Sequence, residues 1–194
     1  MADYSAITAT SQAILGLLET SCPKAEFDGA MFELYQASQF QNPLEEGIAL
    51  FLYRISGGSR RNLPSRPGPE RQTYRPPITL DLHYLLTAWA KTSGKQQLLL
   101  GWAIRSLADT PVLPPGLLNH YANSNVFHDD ESVELIYDPL GLQDLTSLWD
   151  IFKPNLQACA TYVARSVAID STVEVQQYRE VQTHDFVFRK QIDG

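Results

Sequence analysis

Residues 47–55 read GIALFLYRI, and this run decides the fold class. It is apolar on both alternating faces: Ile48, Leu50 and Leu52 on one, Ala49, Phe51 and Tyr53 on the other. A strand of that kind is stable only where both faces are covered, in the middle of a sheet that carries helices. Working outward, residues 79–89 return to strand character, with Leu80, Leu82, Tyr84 and Leu86 on one face. Residues 133–137 and 158–169 supply two further strands. Helical spacing separates them. Ile7, Ile14, Leu15 and Leu18 form a stripe that ends at Cys22-Pro23, and Leu100, Ala103, Ile104 and Leu107 form another within residues 95–108. Residues 141–152 read as a helix that turns Leu142, Leu145, Trp149 and Phe152 inward. Residues 26–41 read as extended chain, and residues 119–132 as an exposed polar loop. Strands interleaved with helices predict a single α/β (α+β) layer domain over residues 1–170. Beyond it, residues 171–194 read as an extended C-terminal arm, in which Val173, Val175, Tyr178, Phe186 and Phe188 fall at strand spacing.

The charge is unevenly placed. The 194 residues carry 15 Lys+Arg against 22 Asp+Glu, a formal net charge of −7. Yet residues 54–75 hold six arginines (54, 60, 61, 66, 71 and 75) and one acid, Glu70, for a local net of +5. The remainder therefore sums to −12. Five of the twelve prolines (64, 67, 69, 76 and 77) lie in or beside this segment, which denies it helix and central strand. Arginines on a proline-stiffened loop suit bidentate contact with carboxylates or phosphates. Only Tyr74 is interleaved with them, so the stacking platforms of single-strand binders are missing, and an acidic protein surface is the better partner. Overall acidity argues in the same direction, against a general nucleic-acid binder.

Motifs for catalysis are sparse. Gly94-Lys95 fails as a phosphate loop, because Trp89 stands where glycine is required and Gln96 where Ser or Thr is required. Asp81 and His83 share a strand face and could tune a general base, though strand-surface roles fit them better. His128-Asp129-Asp130-Glu131 offers metal-ligand chemistry, but it has no second ligand cluster at recognisable spacing and reads as a solvated turn. Cys22 and Cys159 read as free thiols of a reducing compartment. No secretory leader is expected at the start, and no apolar run reaches the ~20 residues that span a bilayer.

Several stretches carry a resemblance. They are GIALFLYRI at 47–55, Arg61-Asn62, RPPITLDLHYLLTAW at 75–89, QQLLLGWAIRSLADTPVL at 96–113 and LTSLWDIFKPNLQACATYVARSVAIDS at 145–171. Together the sequence resembles the tail-terminator, or cap, proteins of extracellular contractile injection systems of the antifeeding-prophage and virulence-cassette type. The resemblance implies a tail-terminator-like fold, a twisted mixed β-sheet with helices packed on it. It also implies a structural protein and no enzyme: a homo-hexameric ring at the baseplate-distal end that stops inner-tube and sheath polymerisation. The implied partners are the inner tube protein and the sheath protein, with no nucleic acid, no membrane insertion and no cofactor. Assembly would be cytoplasmic, within a phage tail-like particle that is then released or membrane-docked. Some relatives carry longer C-terminal extensions, and the stop at Gly194 leaves the expectation of none here. On this footing Arg60, Arg61, Arg66, Arg71 and Arg75 are expected at subunit or tube contacts. Val173, Val175, Tyr178, Phe186 and Phe188 are expected to add strands to the sheath. The nearest alternative is a terminator or connector of a phage tail, and a more distant one is an Asp/His-dependent hydrolase.

Overall fold

The computed structural model describes residues 4–58, 63–67, 72–122, 125–152 and 157–175. In chain order the elements are α1 (Ala6–Ser21), β1 (Met31–Leu34), a 3-10 turn (Ala37–Gln41), β2 (Gly47–Gly57), β3 (Arg66–Pro67), β4 (Thr73–Tyr74) and β5 (Ile78–Trp89). They continue with α2 (Ser93–Asp109), β6 (Val112–Leu113), α3 (Pro115–His120), β7 (Val133–Tyr137), α4 (Leu142–Phe152) and β8 (Cys159–Ile169). Six strands make one mixed sheet, ordered β1-β2-β5-β8-β7-β6, and β3 with β4 makes a separate two-stranded hairpin. Only the β1–β2 pair is parallel. The expected mixed-sheet fold with packed helices is what forms.

β5 lies at the middle of the sheet because its sequence leaves no polar face over most of its length. Leu82, Tyr84, Leu85, Leu86, Thr87, Ala88 and Trp89 are all buried. On one side α1, α2 and α3 close over Ile48, Leu50, Leu82, Tyr84, Leu86, Tyr162 and Ala164. Ala6, Ala9, Ala13 and Gly16 are buried along one side of α1, and Gly16 leaves room there for an aromatic ring. Tyr121, just after α3, places its ring where a side chain on Gly16 would stand, and its hydroxyl donates to the Gly16 carbonyl at 3.0 Å. A second long-range polar contact joins helix and sheet in this core, Ser11 Oγ with the Tyr84 hydroxyl at 2.8 Å. Burial drives the Tyr84 phenol far above its ordinary range.

The other side is covered differently. The 3-10 turn and α4 bring Phe40, Trp149 and Phe152 onto Ala49, Leu85 and Trp89. Phe40 stacks on Phe152 at 4.3 Å and meets Phe51 and Trp149 edge-on. Aromatic pairs of this geometry add to the stabilisation from area alone. This plug covers only the β1-side end of β5, leaving Tyr53 and His83 half-buried and Arg54 and Arg165 exposed.

Two bulges twist the sheet beside that open strip. One lies in β2 between Leu52 and Arg54. At the other, the β8 residues Arg165 and Ser166 lie opposite Asp81 alone. Ser166 there takes φ 63°, a left-handed conformation costly for a residue with a Cβ. Asp81 Oδ1 offsets this by accepting the Ser166 N–H at 3.1 Å.

Three local expectations are corrected. Within residues 26–41 only β1 is extended, and the part containing Phe40 is the 3-10 turn, because Gln36 and Gln39 cap it reciprocally. The stretch at 119–132 is not wholly exposed. Val126 and Phe127 are buried in the helix-covered core, and their N–H groups are held by the Asn119 side chain. Leu142 faces solvent at 75% exposure, since α4 starts there and its inward stripe begins at Leu145.

Leu82→Ala should cost about 2–5 kcal/mol in chemical denaturation, through lost burial and a central cavity. Tyr84→Phe should cost only about 1 kcal/mol, because Ser11 keeps its bond to the Ile7 carbonyl. The Tyr162 phenol is pushed up to about 12 by burial, with Tyr137 adding to the shift. The neutral form is therefore favoured by folding, so this contribution is complete below about pH 10 and is lost as pH rises toward about 12. Denaturation midpoints measured across that alkaline window should fall, and Tyr162→Phe should remove part of the slope.

Candidate functional site

The arginine-proline segment folds into the β3–β4 hairpin, in which Arg66 pairs with Tyr74 and Pro67 with Thr73. A two-stranded piece this short has almost no independent stability, so something must hold it to the body. Arg66 does so with its guanidinium. One nitrogen pairs with Glu131 and Nε lies 3.0 Å from Asp170 Oδ1. The Arg66, Glu131 and Asp170 side chains are 25%, 10% and 5% exposed, so the group is largely withdrawn from water. His128 Nε2 reaches the second Asp170 oxygen at 3.1 Å, and the His128 backbone N–H donates to Glu131 Oε2 at 2.9 Å. The acidic run at 128–131 is thus a folded carboxylate turn that receives an arginine, rather than a metal cluster. Beneath the hairpin lies a cleft of about 530 Å³ bordered by Pro64, Arg66, Pro77, Thr79 and Ser132.

The hairpin in turn holds the start of the arm. Tyr74 and Glu174 form an antiparallel bridge. The Arg75 N–H donates to the Val173 carbonyl at 2.9 Å, and the Val175 N–H donates to the Thr73 carbonyl at 2.7 Å. Val173 and Val175 are therefore paired within their own chain along one edge while their side chains stay 49% and 39% exposed. Arg75 is exposed. Arg60, Arg61 and Arg71, like Tyr178, Phe186 and Phe188, lie outside the described residues. The structure brings Arg66, Arg75, Val173 and Val175 into one assembly of loop and arm. Glu131 and Asp170 complete it; the sequence marks Glu131 only as part of the acidic run at 128–131 and does not mark Asp170, and nothing in it pairs either with Arg66.

The remaining polar residues divide into separate sets. Asp81 is committed to the Ser166 N–H, and His83 Nε2 lies 2.9 Å from Ser56 Oγ with Asp138 3.9 Å from Nδ1. Burial, reinforced by Arg54, lowers the His83 imidazole from its ordinary range. These groups line an open sheet face rather than a pocket. Cys22 and Cys159 are free and partly buried, and burial raises both thiols. Among the described residues there is no group of His, Cys, Asp and Glu that could hold a metal ion, and no helix long and apolar enough to cross a membrane.

Comparison with known structures bears on the fold. The sheath/tube terminator of an extracellular contractile injection system, PVC, in its extended state superposes with a TM-score of 0.62. The match runs over 96% of this chain and 64% of that one at 12% identity. The tube-terminating cap of the anti-feeding prophage superposes with a TM-score of 0.60, over 92% of this chain and 60% of that one, at 13% identity. The chain thus spans less than two thirds of the length of either. No curated protein matches the sequence. The Pvc16 N-terminal domain model matches residues 9–183, which includes the sheet, the hairpin and the first part of the arm. On that match the chain belongs to the Pvc16 N-terminal domain family.

Proposed function

We propose that this chain is a structural cap of a contractile injection system, terminating the inner tube and the sheath at the end distal to the baseplate. The observation that carries the reading is the fold shared with a terminator and a cap over at least 92% of the chain. The protein acts as a homo-hexameric ring stacked on the last ring of tube protein, works without a cofactor and catalyses nothing. Assembly takes place in the cytoplasm, on a particle that is afterwards released or docked at a membrane.

A cyclic ring uses heterologous contacts, so each subunit needs two unlike faces. An acidic body carrying a basic segment supplies them, and such complementarity sets register and partner choice more than affinity. Arg60, Arg61, Arg71 and Arg75 are the cations that serve these contacts. Arg66 belongs to the same segment but is occupied by Glu131 and Asp170, so its part is to hold the segment in place. The arm serves the sheath: Val173 and Val175 lie at its base, and Tyr178, Phe186 and Phe188 supply the strand that pairs with the sheath protein.

Substituting Arg60, Arg61, Arg71 and Arg75 together by Ser should leave a folded protein but yield particles of irregular length with missing caps in electron micrographs. Normal lengths with full cap occupancy would overturn the contact assignment. Truncation after Val175 should keep cap density on the tube while the sheath detaches or contracts prematurely. A fully stable extended sheath on truncated caps would remove the arm from the mechanism.

A further inference from the structure

We propose that Arg66 is a positioning residue for the arm: its ion pairs with Glu131 and Asp170 dock the β3–β4 hairpin, and the docked hairpin fixes residues 173–175. The assignment rests on the cap reading only for the use made of the arm; the mechanical claim concerns the isolated chain.

Residues 173–175 are attached to β4 by two backbone hydrogen bonds around the Tyr74–Glu174 bridge. Bonds of that kind are each worth about 1 kcal/mol net, so a segment held by two of them opens readily unless its template is fixed. The template is a hairpin with two residues in each described strand, which is itself marginal. It borders the cleft that Pro77 and Thr79 also line. Among the described residues, the ion pairs that tie it to the body are those of Arg66.

The geometry suits that task. Glu131 lies just before β7, and Asp170 directly follows β8, so one guanidinium ties the hairpin to two separate places on the body. Asp170 also stands three residues before Val173, at the point where the arm leaves the sheet. Arg66 therefore sets both ends of the short path from β8 to β4. Removing its charge leaves two carboxylates, 10% and 5% exposed, without their shared cation, and a buried charge deprived of its partner is strongly unfavourable. The hairpin would then lose the attraction that seats it. His128 remains on Asp170, but it belongs to the body and carries no part of the hairpin.

The test is residue-resolved amide exchange on the full chain, wild type against Arg66→Gln and Arg66→Lys. In Arg66→Gln, exchange at the Val175 and Arg75 amides should accelerate by about tenfold or more, while the Leu82–Leu86 amides of β5 keep their wild-type rates. Arg66→Lys keeps a cation between the carboxylates but loses the fork, and should restore most of the protection. Should Arg66→Gln fold poorly, Glu131→Gln leaves Arg66 on Asp170 alone and should give an intermediate acceleration at the same two amides. Unchanged exchange at Val175 and Arg75 would overturn the proposal. So would equal acceleration in β5, which would make Arg66 a residue of global stability. Either result leaves the cap reading standing, because that reading is tested on particle length and sheath attachment.

Discussion

From Tyr84 to Trp89 β5 is buried on both of its faces, and this constraint dictates the layers around it. A side chain such as Leu82 or Leu86 gains roughly 1.5–3 kcal/mol from full burial, which offsets backbone ordering only if both faces are closed. The helix side meets the requirement with α1, whose Ile14 and Leu18 are buried and whose Ser11 bonds to Tyr84, while Gly16 on another side of the same helix admits the Tyr121 ring. The other side meets it with four aromatic rings, Phe40, Phe51, Trp149 and Phe152, supplied by a 3-10 turn, β2 and one short helix. Because that plug is narrow, the far half of the same face stays polar and open, lined by Arg54, His83 and Arg165. The asymmetry of the layers thus leaves a sheet face in contact with solvent beside a closed core.

Much of this was legible in the residues. The double apolar face of residues 47–55 correctly placed β2 inside a sheet, and the helical stripes at 7–18 and 100–107 correctly placed α1 and α2. What escaped were features with no periodicity to read. β6 and the β3–β4 hairpin contain two residues per strand, too few for any alternation. Val126 and Phe127 sit in a polar stretch, and only the distant Asn119 side chain turns them inward. The arginine segment was legible by charge and composition as a basic, proline-stiffened loop. Its partner within the chain was not. Glu131 was noticed only as part of an acidic run, and Asp170 is distinguished from the other acids only by where the fold carries it.

That placement changes the meaning of the charge split. A local +5 set against −12 elsewhere suggests a loop turned wholly outward to meet another molecule. Arg66 shows that one of the six arginines is satisfied within its own subunit by two carboxylates of the acidic body. A basic loop left free on an acidic body would be drawn toward that body at many points, with no single geometry preferred. One largely buried ion pair selects a single seat, and this fixes the direction in which neighbouring exposed groups such as Arg75 are presented.

The same seat links body and arm. Asp170 directly follows β8 and is a partner of the hairpin, while residues 173–175 bridge to β4 of that hairpin. Force applied to the arm would therefore be met first by two backbone hydrogen bonds and a short hairpin, and only then by Arg66. A strand peeled from its end loses its bonds one at a time, whereas a clamp on two carboxylates must break as a unit. The arm's attachment is thus graded: weak where it can yield, and firm where it joins the sheet. Such grading confines any yielding to residues 173–175 and leaves the buried part of β5 undisturbed.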